Sequence, residues 1–267
     1  QSARPQETPG EKSEVRLAML KGPTGIGAAK LMADNEAGST LNHYTVEVAA
    51  QPTDLTGKIV NGDLDIAALP TNVAAALYNK TQGGVQLLAL NTLGVLYILE
   101  SGESVNSIAD LAGKTVYATG QGANPEYVLN FLLEKAGLDP ASDVKVEWKT
   151  ADEVSALMAS GEAKIAMLPV PAATAVLMKN QDVRAAIDLN DAWRDAGAGG
   201  EMTMGCVVVR TAFARENPQA VENFLNEYAA SIDYVKNNAD EAAELVAQYE
   251  ITPSAQVARA AIPQANL

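Results

Sequence analysis

The stretch Lys58-Ile59-Val60-Asn61-Gly62-Asp63-Leu64-Asp65-Ile66-Ala67-Ala68-Leu69-Pro70 returns 99 residues later as Leu157-Met158-Ala159-Ser160-Gly161-Glu162-Ala163-Lys164-Ile165-Ala166-Met167-Leu168-Pro169. Both copies read as a helix that stops at a glycine suited to a left-handed C-cap. An acid follows, then a short buried strand, then a proline that opens a turn. Both continue into alanine-rich helices, expected over 72–78 and 172–178. A repeat of this length signals duplicated supersecondary units and governs the reading of everything around it.

Upstream of each copy the pattern persists. Val15-Arg16-Leu17-Ala18-Met19-Leu20 is an apolar strand running into Gly22-Pro23-Thr24-Gly25-Ile26-Gly27 and a helix over 28–33. Its partner, Lys114-Thr115-Val116-Tyr117-Ala118-Thr119, runs into Gly120-Gln121-Gly122-Ala123-Asn124-Pro125 and a helix over 126–136. Val46-Glu47-Val48 and Val146-Glu147-Trp148 supply the matching second strands. Each half therefore reads β–Gly loop–α–β–α–β–Pro turn–α. Strands that alternate with helices predict parallel-type sheets with right-handed crossovers, so the fold class is α/β with two similar lobes.

Two apolar strands fall outside the repeat, at 95–99 and 205–210. The first leads into the second lobe and the second follows it, which predicts a two-strand hinge. The expected division is a tail over 1–13, a discontinuous first lobe over 14–98 plus 205–267, and a second lobe over 99–204. Helices over 218–237 and 239–248 complete the first lobe. Residues 1–13 mix Pro5, Pro9 and Gly10 with polar residues and read as a disordered tail or linker.

The chain has 267 residues, with 19 Lys and Arg against 33 Asp and Glu, a net charge of −14. Nucleic-acid binding needs clustered cations that are absent, and an anionic membrane surface would repel this charge. A single cysteine, Cys206, and a single histidine, His43, leave no disulfide, no multi-ligand metal site and no ordinary hydrolase base. No apolar run reaches the roughly 18 residues of a membrane helix. No signal-peptide core is present, which points to a cytosolic protein or a mature secreted one. Neither metal nor cofactor is expected.

In open parallel sheets ligands lie beyond the carboxyl ends of the strands. The residues there are Lys21, Pro23, Thr24, Gly25 and Ile26; Pro70, Thr71 and Asn72; Thr119, Gly120, Gln121, Gly122 and Asn124; and Pro169 and Val170. All four loops open helices, whose first turns offer free N–H groups and partial positive charge. Thr24, Thr71, Asn72 and Asn124 fit equally as helix caps or as ligand contacts. Lys21 is either a solvated loop lysine or the one ionic contact. No arginine lies in these loops, which argues against a bidentate clamp. Gly120-x-Gly122 follows a strand as in a dinucleotide fingerprint, but Pro125 holds the place of the third glycine. Tyr97, Tyr117, Tyr127, Trp148 and Trp193 suit either core packing or stacking on a heterocycle. His43 reads as structural and Cys206 as an inert core thiol.

With Lys21-Gly22-Pro23-Thr24-Gly25-Ile26-Gly27-Ala28-Ala29-Lys30-Leu31-Met32, Ala68-Leu69-Pro70-Thr71-Asn72, Asp110-Leu111-Ala112-Gly113-Lys114-Thr115-Val116 and Met167-Leu168-Pro169-Val170-Pro171 in view, the chain resembles ABC-transporter substrate-binding proteins of the type II periplasmic class. It is most similar to the group that includes thiamine-precursor, alkanesulfonate and nitrate binders. The resemblance implies two lobes closing on one small anionic or heteroaromatic solute, delivery to a membrane permease, and a monomer. It also implies an extracytoplasmic place, periplasmic or lipid-anchored to the outer face of the cell membrane. The chain departs from many relatives in carrying Val170 where they have a polar or acidic residue, and relatives continue past Leu267, so a truncated C-terminus is expected. An enzyme on the same fold, of the pyrimidine-precursor synthase or transferase kind, needs a nucleophile or acid–base pair in the cleft, for which only Lys21 is placed. A transcription-regulator effector domain shares the fold but follows a helix-turn-helix, which residues 1–13 do not spell.

Overall fold

The computed structural model describes residues 12–267, so the tail expected over 1–13 falls, as far as residue 11, outside the described residues. Four strands come first: β1 (Glu14–Leu20), β2 (His43–Ala49), β3 (Ile66–Pro70) and β4 (Val85–Leu93). Five more follow as β5 (Leu96–Ser101), β6 (Thr115–Ala118), β7 (Lys145–Trp148), β8 (Ile165–Pro169) and β9 (Val183–Asp188), and β10 (Thr203–Arg210) closes the series. They form two five-stranded sheets in the orders β2-β1-β3-β10-β4 and β7-β6-β8-β5-β9. In each sheet the strands carrying the repeat are parallel, and one strand, β10 or β5, runs against both of its neighbours.

The chain thus folds as two α/β lobes, with one antiparallel strand set into each otherwise parallel sheet. The strands expected as hinge crossovers are these two antiparallel members. The crossings lie just before them: Gly94 and Val95 join β4 to β5, and residues 196–202 lead from the helix Leu189–Asp195 to β10. Strands β4 and β9 were not anticipated. They extend the repeat by one more element, since Val85 and Val183 begin equivalent edge strands 98 residues apart.

Side-chain alternation along β1 shows why the strands read as unbroken apolar runs. Val15, Leu17 and Met19 face one core and Ala18 and Leu20 face another, so both sides of the sheet are covered. The second sheet is likewise packed on both faces. The helices Thr53–Asn61 and Ala151–Ser160 end at Gly62 and Gly161, which take φ of 81° and 80° as C-caps. A side chain there would pay the left-handed penalty that glycine avoids.

The C-terminal helices lie on the first sheet. Pro218–Asn237 buries Ala220, Phe224, Tyr228, Ser231 and Val235, a stripe spaced by three and four residues. Phe224 stacks on Tyr228 at 5.3 Å between centroids and meets Tyr44 edge-on at 6.2 Å. Truncating such a fully buried ring costs about 3–5 kcal/mol, so this helix is integral to the lobe. The final segment returns to the crossover: Asn266 accepts from Leu93 N at 3.0 Å and donates through Nδ2 to Gly94 O at 3.1 Å.

Candidate functional site

The carboxyl ends of the parallel strands of both sheets meet at the junction of the lobes. In the first lobe, β1 ends in a sharp turn that opens the short helix Pro23–Ile26. Gly25 permits that turn: a Cβ there would lie 2.0 Å from Leu20 O. The break between this helix and Ala29–Glu36 is held from across the lobe, because Ser231 Oγ donates to Gly27 O at 2.6 Å and accepts from Leu31 N at 2.9 Å. The turn is anchored further by Gly22 N, which donates to Ile251 O at 2.9 Å. In the second lobe, Gly120 and Gly122 take positive φ values of 90° and 74° and bring the chain round to the helix Asn124–Lys135.

The polar residues at these helix starts do not cap their own helices; neither Thr71–Lys80 nor Asn124–Lys135 has a side-chain cap. They reach across the lobes instead. Asn124 Nδ2 donates to Thr71 Oγ1 and to Met204 O, both at 2.8 Å. Thr71 Oγ1 in turn donates to Thr203 O at 3.3 Å. Asn72 Nδ2 donates to Gly122 O at 3.3 Å, while its Oδ1 is buried without a partner among the described residues. Of the two alternatives open for Thr71, Asn72 and Asn124, the cap is therefore the one the structure rejects.

Other candidates are placed differently. Thr24 is buried, and its carbonyl accepts from Asn91 Nδ2 at 3.1 Å. Ile26 and Val170 are fully buried in the two cores and present no side chain to the junction. Pro23, Pro70, Thr119, Gly120 and Pro169 are half-buried at the strand ends, Gly25 is buried, and Gln121 and Gly122 are exposed. Lys21 is exposed, with Nζ 3.7 Å from Glu250 Oε2. Tyr97 is half-buried at the start of β5; burial raises its phenol, and the charges of Asp188 and Asp191 add to the effect. Trp193 packs on Phe131 at 4.9 Å, and Tyr127 is exposed.

The groups an enzyme reading would draw on sit elsewhere. His43 is exposed, with Nδ1 2.7 Å from Glu14 Oε2. Cys206 is buried in β10, its thiol pushed up to about 12 by burial and bonded to Leu69 O at 3.4 Å. Among the described residues no group of three or more His, Cys, Asp or Glu is arranged to hold a metal.

Sequence reasoning missed the supports behind the loops. Asn91 also donates to Tyr228 OH at 2.9 Å, linking the Thr24 turn to the long C-terminal helix. Asn190 Nδ2 donates to Gly94 O at 2.8 Å, so two asparagines hold the first crossover. Glu126 Oε2 accepts from Gly122 N at 2.6 Å. The one available signal was the pair Asn91-Thr92, two polar residues at the inner end of an apolar strand.

A family model described as NMT1/THI5 like matches residues 46–242. No curated protein matches the sequence. Among solved structures, an ABC transporter protein from Parabacteroides distasonis superposes with a TM-score of 0.75 at 20% identity, over 94% of this chain and 85% of that one. The periplasmic aliphatic sulphonate binding protein SsuA from Escherichia coli gives 0.72 at 16% identity, over 92% of this chain and 81% of that one. The periplasmic nitrate-binding protein NrtA from Synechocystis PCC 6803 gives 0.67 at 13% identity, over 89% and 66%. These likenesses establish the two-lobed, type II periplasmic-binding-protein fold.

Proposed function

The chain belongs to the NMT1/THI5-like family, and from that premise we propose that it is the solute-binding component of an ABC importer. It works outside the cytoplasm, in the periplasm or lipid-anchored to the outer face of the cell membrane, as a monomer without enzymatic turnover. It hands a small anionic or heteroaromatic solute to a membrane permease.

The observation that carries this reading is the set of hydrogen bonds between helix starts of opposite lobes, Asn124 to Thr71 and Asn72 to Gly122. Loops that meet across a hinge change their contacts when the lobes move. A solute held between them then binds the closed arrangement more tightly than the open one, and that difference drives closure. The solved structures named for sulphonate and nitrate binding share the fold and lend the reading weight. In this reading the contacts come from Lys21, Pro23, Thr24 and Gly25, from Pro70, Thr71 and Asn72, from Tyr97, from Thr119 to Gly122 and Asn124, and from Pro169.

The test is thermal shift, intrinsic fluorescence and small-angle scattering across sulfonates, pyrimidines and small carboxylates. At least one solute is expected to raise the melting temperature and compact the protein. A monomer that neither stabilises nor compacts with any of them would overturn the proposal.

A further inference from the structure

On the receptor reading above, we infer that the solute presents an N–H or O–H donor to Asn72 and is an amide or amino compound rather than a bare oxyanion. The first observation is the orphaned Oδ1 of Asn72. Its identity as the acceptor is fixed by geometry, because Nδ2 faces Gly122 O at 3.3 Å. Exchanging the two atoms would set oxygen against oxygen. A buried acceptor without a donor is costly to leave unmade, and a solute that supplies the donor removes that cost.

The second observation concerns the same glycine. Gly122 N, the kind of group that would greet an oxyanion in a glycine loop, already donates to Glu126 Oε2 at 2.6 Å. An incoming sulfonate or nitrate would have to displace a carboxylate or lie against it, and like charges at contact repel. The third observation is the lack of a compensating cation. Across the loops 21–27, 70–72, 119–124 and 169–171 the only basic residue is Lys21, which is exposed and faces Glu250. Lys149, at the end of the edge strand β7, is exposed as well. An unsatisfied acceptor, a backbone donor already taken by an acid and an outlying cation all favour the same ligand chemistry.

The experiment uses matched pairs of similar shape with the full chain: urea against nitrate, methanesulfonamide against methanesulfonate, and benzamide against benzoate. Affinities are read by calorimetry and by thermal shift. In each pair that binds, the donor-bearing member is expected to bind about tenfold or more tightly, the cost of one unmade buried bond. Asn72→Leu should shrink that ratio several-fold, leaving the part set by Glu126 and the distant cation, without lowering the melting temperature of the solute-free protein. Tighter binding of the oxyanions would overturn the inference and leave the receptor reading standing. A ratio unchanged in Asn72→Leu would overturn it as well. Failure of every pair to bind would count against the inference and, for these solute classes, against the receptor reading with it.

Discussion

The two lobes share a strand order but bury their acids on different strands. In the first, Asp65 lies just before β3 and is 4% exposed. It accepts from Arg16 N, Nε and Nη2 and from Arg210 Nη2. The residue that the repeat aligns with it is Lys164, which is exposed. The second lobe instead buries Glu100, on the antiparallel strand β5, where it accepts from Ser104, Val105 and Arg184. In both cases burial pushes the carboxyl up and the hydrogen bonds outweigh it, so both sit below their ordinary values. Each sheet is tied at the end opposite the loops by a buried acid and at least one arginine. The strand that supplies the acid is free to differ because the tie acts across neighbouring strands.

Removing the acids is the most direct way to break this comparison. Asp65→Ala leaves the partly buried Arg210, the exposed Arg16 guanidinium and the Arg16 N–H without their carboxylate and should cost about 3–4 kcal/mol in denaturant unfolding. Glu100→Ala strands one arginine and some loop donors and should cost about 2–3 kcal/mol. An equal or reversed order would show that the arginine count does not set the strength of the tie. Acid titration tests the same pair. Both carboxyls are lowered, so their contribution is complete above the ordinary values of 3.8 and 4.5 and drains away as the pH falls below them. The wild-type protein should therefore lose more stability between neutral pH and about pH 3 than a variant lacking both acids.

Two glycines, Gly94 in the first crossover and Gly205 just inside β10, sharpen the comparison at a smaller scale. A Cβ on Gly94 would lie 1.9 Å from Asn190 Oδ1, and one on Gly205 would lie 2.4 Å from Thr24 Cγ2. Each alanine variant should lose about 1–3 kcal/mol by overpacking. On the proposed receptor function their signatures should differ: Gly94→Ala should shift the interlobe angle seen by scattering, whereas Gly205→Ala, by displacing the Thr24 turn, should also weaken any solute binding found in the panel. The smallest effect is expected at the matched caps. Gly62→Ala and Gly161→Ala should each cost about 1 kcal/mol, agreeing within a few tenths, because the two glycines share one backbone conformation. Unequal costs would mean that Arg210, 3.9 Å from the added carbon at Gly62, decides the outcome.

These caps also show what was legible in the sequence. Gly62 and Gly161 stand out because a left-handed stop followed by a buried strand is encoded within about a dozen contiguous residues. The loops at Thr24, Thr71 and Gly122 follow from the same local grammar. Strand β4 was harder to see, since Gln86, Leu87 and Leu90 break the alternation: the strand is irregular and lies at the sheet edge, with Leu87 and Leu90 exposed. The supports of the site were illegible for a further reason. Asn91 with Tyr228, and Gly94 with Asn190 and Asn266, join residues brought together only by the completed fold.

The order β2-β1-β3-β10-β4 has a consequence for how the chain is made. Strand β4 has no place beside β3 until β10 slides between them, and β10 is translated more than a hundred residues later. All five strands of the other sheet, by contrast, lie within residues 96–188. Wherever the chain emerges N-terminus first, at a ribosome or on the far side of a membrane, the half begun second can assemble its sheet first. The half begun first waits with an apolar edge open. Vectorial synthesis therefore gives a chaperone its longest opportunity at β3 and β4, the strands that flank the vacant place.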